Sequence, residues 1–158
     1  MDFVSEATIE RALAYVEAAD YELLVNDFAE AQPVVLSYLL SDSSSVLTET
    51  ERDYLLYLAL VLWQSAERTT DQLLPIIDED TLGKAEEANY AQLEEVKSKD
   101  FRTRLNGFFE GTPQEDMLAF VEDALTEDED TEVAVTDTGR EPIFVMLKSF
   151  VDALMHTV

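Results

Sequence analysis

Between Thr48 and Arg68 the chain reads as a helix with almost no polar face. Leu55, Leu58, Ala59, Leu62 and Ala66 recur every three or four residues along one side. Tyr54, Tyr57, Val61 and Trp63 spread apolar surface over much of the remainder. A helix that is apolar around most of its circumference is stable only when other elements surround it. Thr48 and Glu51, three residues apart, form a capping-box pair that sets its start. This pattern predicts an all-α fold, a compact bundle of about six or seven helices with helix 49–68 at the centre.

The rest of the chain supplies the surrounding helices. At 158 residues it falls in the single-domain range, so one helical domain over 1–158 is expected. A domain of that size buries roughly 70% of its unfolded surface, enough to hold without staples. Only four glycines and four prolines are present, which disfavours a turn-rich sandwich or barrel. Ser5 reads as the N-cap of a first helix carrying Ile9, Leu13 and Val16. The same period resumes in Tyr21, Leu24, Val25 and Phe28 after a kink or break near Asp20. Gln32-Pro33 starts a short, nearly all-apolar helix over 34–40. A peripheral helix is expected over 81–97, and a short one from Phe101 to Phe109 stopped by Gly111.

Thr112-Pro113-Gln114-Glu115 reads as cap, first-turn proline and capping-box glutamate of a helix ending near Thr126. A last helix is expected to begin near Pro142, with Ile143, Leu147, Phe150, Val151 and Leu154 on its core side. Before it, Val133 and Val135 alternate with polar residues in a strand-like way, but no partner strand is evident. No internal repeat is apparent.

Charge limits the function classes. Thirty-five acids against ten bases leave a net charge of −25, a field that repels nucleic acid and anionic lipid. Direct nucleic-acid binding is therefore not expected. The charge has three readings: solvation, life in high internal salt, or a functional anionic surface. Four lysines only, Lys84, Lys97, Lys99 and Lys148, fit the second. The absence of cysteine removes disulfides, thiolate metal sites and thiol nucleophiles. Met1 to Glu6 lacks the basic and apolar stretches of a signal peptide. The longest apolar run, Tyr54 to Trp63, is ten residues against the roughly 20 that cross a bilayer. No membrane association and a cytoplasmic location are expected.

Residues able to carry chemistry are sparse. Asp78, Asp80 and Gly83 match positions of a calcium loop, but Leu82 and Asn89 stand where ligands should be, so an acidic first helical turn is the better reading. Glu127 to Glu132 is a self-repelling acidic run with no glycine turn to shape a cage. His156 is the only histidine; Asp152 stands one turn earlier and is placed to orient its ring. Neither a phosphate-cradling glycine loop nor a nucleophile elbow occurs. Trp63, Tyr54 and Tyr57 read as core packing. No catalytic, cofactor or metal residues are assigned.

What remains is a non-enzymatic acidic helical protein, an adaptor or regulatory module that meets a basic protein partner through an anionic helical surface. Residues 78–132 hold eighteen acids against five bases. Glu86, Glu87, Glu94, Glu122, Asp123, Asp128 and Asp130 are the candidate interaction residues. Two alternatives are a DNA-mimic inhibitor of a nucleic-acid-binding protein and a carboxylate-based or magnesium-dependent enzyme. The oligomeric state is left open.

Overall fold

The computed structural model describes residues 1–41, 45–126 and 135–156. Among these are eight helices and no strand. They are α1 (Glu6–Ala18), α2 (Tyr21–Ala31), α3 (Pro33–Leu39), α4 (Glu49–Thr69), α5 (Glu79–Glu94), α6 (Phe101–Gly111), α7 (Glu115–Leu125) and α8 (Asp137–His156). The fold is an all-α bundle. The break expected near Asp20 is a true helix boundary: the Asp20 carboxylate accepts from the Leu23 amide and starts a new helix, which gives eight elements.

Helix α4 packs against α1, α2 and α8, and ten of its residues are buried. Trp63 belongs to this core, its ring 5.9 Å from Phe28, which in turn meets Phe150 at 6.0 Å. Tyr54 and Tyr57 stack at the helix edge and donate to Ala124 O and to Glu17.

The centre is shared, however. Helix α8 packs against α4, α5 and α7, and buries Phe144, Val145 and Met146 as well as the expected core side. It also begins five residues earlier than Pro142. Thr136 supplies the cap: its hydroxyl accepts from the Gly139 amide at 3.0 Å. Pro142 lies one turn inside, where it forgoes one backbone bond without ending the helix. Val135 lies against the core with no strand partner among the described residues, and Val133 falls outside them.

Two further helix starts differ from expectation. Helix α5 begins at Glu79, because the Asp78 carboxylate accepts from the Thr81 amide at 2.7 Å. Asp78 thus acts as an N-cap, and Glu79 and Asp80 lie in the first turn, where the helix dipole favours acids. The far end of α5 is closed by Arg104, which donates to the carbonyls of Leu93, Val96 and Ser98 and forks onto Glu141. At α7 the expected capping box does not form. The N-cap is Gln114, and its side chain makes no capping bond. Its amide is buried instead, accepting from Val4 N and donating to Asp2 O, both at 2.9 Å. Docking the N-terminal segment outweighs capping.

Candidate functional site

Five of the seven predicted interaction residues lie among the described residues, three on α5 and two on α7. On α5, Glu87 and Glu94 are exposed, seven residues apart on one face. Glu86 is half-buried and accepts a hydrogen bond from the Tyr38 hydroxyl. On α7, Asp123 is exposed, whereas Glu122 lies against Arg102 of α6. Burial pushes the Glu122 carboxyl above its ordinary value, and Arg102 only partly offsets this. Arg102 also donates to Thr126 at 2.9 Å and so closes the C-terminal end of α7. Helix α5 packs on α3 and α8, and α7 on α1, α6 and α8. Asp128 and Asp130 lie outside the described residues, as does the whole acidic run from Glu127 to Glu132.

Asp123 belongs to a different surface, the groove between α1 and α7. On α1 the spacing i, i+3, i+4, i+7 puts Glu6, Ile9, Glu10 and Leu13 on one face; the same spacing on α7 selects Asp116, Ala119, Phe120 and Asp123. These eight residues line a groove of about 450 Å³. Ile9 is buried, and Leu13, Ala119 and Phe120 are half-buried, so the floor is apolar. Glu6 and Glu10 stand on one wall, Asp116 and Asp123 on the other. No basic side chain is among the lining residues. The walls are held in register where Asp116 accepts from the Glu6 amide at 2.9 Å, at the positive end of α1. Of these eight, Ile9, Leu13 and Asp123 stood out in the sequence; that α1 and α7 would become neighbours did not, because it depends on tertiary packing.

His156 is exposed beside Asp80 and Lys84 at the edge of a smaller cleft. The expected Asp152–His156 pairing is not what Asp152 does. Its two oxygens accept from Lys148 at 2.5 Å and Asn89 at 3.0 Å, tying α8 to α5. Asn89 is buried and also donates to Ser149. Among the described residues, no group of three or more acids or histidines is placed to hold a metal ion, and no helix is long and apolar enough to cross a membrane.

Compared with protein families, curated proteins and solved structures, the chain matches none.

Proposed function

We propose that this protein is a non-enzymatic adaptor or regulatory module of the cytoplasm that binds a basic amphipathic helix of a protein partner in the α1–α7 groove. The observation that carries the reading is the pairing of an apolar floor with a carboxylate rim. Ile9, Leu13 and Phe120 offer the contact that an apolar helix stripe seeks, and Glu6, Glu10, Asp116 and Asp123 face the Lys or Arg residues flanking such a stripe. The net charge of −25 adds long-range steering toward a cationic partner and keeps nucleic acid away.

The probe is a synthetic helix of about four turns with leucines at i, i+3, i+4 and i+7 and lysines on both borders. Its binding is followed by fluorescence anisotropy at moderate salt. The double variant Glu10→Lys/Asp123→Lys is expected to weaken binding at least about tenfold, or about 1.4 kcal/mol. Glu87→Lys/Glu94→Lys makes the same charge change on the outer face of α5 and should weaken it no more than about twofold. Equal losses from the two variants would reduce the effect to general electrostatics and overturn the groove.

A further inference from the structure

A second cleft, of about 680 Å³, opens between α3 and α5 and is distinct from the α1–α7 groove. Its α3 wall is Pro33, Val34, Ser37 and Tyr38, with Ser41 just past the helix end; its α5 wall is Glu79, Leu82, Gly83 and Glu86. On α5 the spacing is again i, i+3, i+4, i+7, so two carboxylates stand seven residues apart on one face. At 1.5 Å of rise per residue, that is about 10 Å along the axis. Gly83 lies between them.

That glycine is unexplained by the fold. A Cβ at Gly83 would meet nothing within 4 Å, so no neighbour forbids alanine there. Glycine is the poorest interior helix former after proline. Its effect is to leave a notch of bare backbone facing the cleft, midway between Glu79 and Glu86. Val34 on the facing α3 wall and the buried Leu82 beside the notch on α5 make this part of the cleft apolar. At one end, Tyr38 donates its hydroxyl proton to Glu86 Oε2 and fixes that carboxylate against the wall. Burial, and then Glu86, push the phenol far above its ordinary range, so it stays a donor to that carboxylate.

We infer that the α3–α5 cleft binds a linear aliphatic diamine, one ammonium on Glu79, the other on Glu86, with the methylene chain laid across Gly83 against Val34 and Leu82. Two cations joined by a flexible apolar rod match two anions separated by a bare, apolar-sided notch. A compact divalent ion could meet only one carboxylate at a time. A chain much shorter than the carboxylate spacing would likewise leave one end unpaired.

A strongly anionic protein attracts any polyamine weakly, so the informative readout is length selectivity. Titration calorimetry of the whole protein with diaminobutane, diaminohexane, diaminooctane and diaminodecane should give an affinity maximum at hexane to octane. The best of these should bind at least about fivefold more tightly than diaminobutane or octylamine. Glu79→Gln and Glu86→Gln should each remove that selectivity, whereas Glu22→Gln, an exposed acid on α2, should leave it intact. Gly83→Leu fills the notch and should abolish the maximum. Gly83→Ala reports on the same notch through two signals. It should raise the melting temperature by about 2 °C as a better helix former, while weakening the best diamine about threefold. Affinity that only rises with chain length, or that responds to Glu22→Gln as much as to Glu86→Gln, would mark simple counterion condensation and overturn the site.

Discussion

Glu51 shows how much one side chain can organise. It is fully buried, and no lysine or arginine is among the partners that hold it. Backbone and hydroxyl donors take that role. The Thr48 amide donates at 2.9 Å, closing the capping box of α4, and the Thr136 amide and hydroxyl donate at 2.9 and 3.0 Å. The N-terminal ends of α4 and α8 therefore both point their positive dipoles at this carboxylate. Gly139 completes the seat, since a methyl group there would collide with the Glu51 carboxylate. Burial alone would push the carboxyl above its ordinary 4.5, but the bonds from Thr48 and Thr136 overcome this and hold it below. A depressed value means that the ionised form stabilises the fold at neutral pH and that this contribution disappears as pH falls through the folded value. Urea unfolding should show Glu51→Gln destabilised by about 1–2 kcal/mol, since an amide cannot accept from both Thr48 and Thr136 without turning its NH₂ toward a donor. The variant should also lose part of the acid-side fall in stability below about pH 4.5. A stability and acid limb equal to those of the parent protein would contradict this account of Glu51.

At the scale of elements, two buried glutamines recur in the same role. Gln32 and Gln114 are N-cap residues of α3 and α7, and neither caps its helix with its side chain. Each instead clamps a remote segment through both ends of the amide. Gln32 accepts from Ile77 N and donates to Pro75 O, both at 2.9 Å, and so holds the irregular segment that follows α4. This segment turns Ile77 into the core and leaves Leu73 and Ile76 outside, 97% and 62% exposed. Replacing Gln32 with alanine strands two backbone groups and is expected to cost about 2 kcal/mol. Gln32→Glu should be nearly as damaging, because a carboxylate has no proton for the Pro75 carbonyl. Hydrogen exchange at the Ile77 amide checks both; protection unchanged in either variant would refute the clamp.

The same residues mark where sequence reading succeeds and where it stops. Local chemistry was legible: the Thr48–Glu51 box, the Ser5 cap, the break at Asp20 and the apolar circumference of α4 all depend on residues within one or two turns. Thr112 to Glu115 resembled an equally local signal, yet Gln114 is taken by a segment 110 residues away in the chain. Asp152 pairs with Asn89 across 63 residues, and Thr136 rather than Pro142 starts α8 because Glu51 awaits it. Likewise Asp123 stood out as an acid of one helix, and only packing joined it with Glu6, Glu10 and Asp116 into one surface.

For the whole molecule the dominant fact is self-repulsion. Ten basic residues cannot neutralise thirty-five acids, and several bases are engaged locally, as Arg102 and Arg104 are with Glu122 and Glu141. Pairs such as Lys84–Asp80, open to solvent on both sides, contribute little. Carboxylates pressed together by folding repel more strongly than in the extended chain, and salt shortens the reach of that repulsion from about 30 Å at 0.01 M to about 3 Å at 1 M. Thermal unfolding should therefore shift upward by roughly 5–10 °C across that range, with sodium and potassium alike. A falling or flat curve would mean that attractive pairs outweigh the excess of like charge.

The junction at Glu51 also sets an order of events. Its second set of donors, on Thr136, is 85 residues further along the chain. During synthesis the head of the central helix must wait with a carboxylate only half satisfied until α8 begins to emerge. That corner is closed only when α8 joins α4, and any intermediate lacking α8 keeps it open to water.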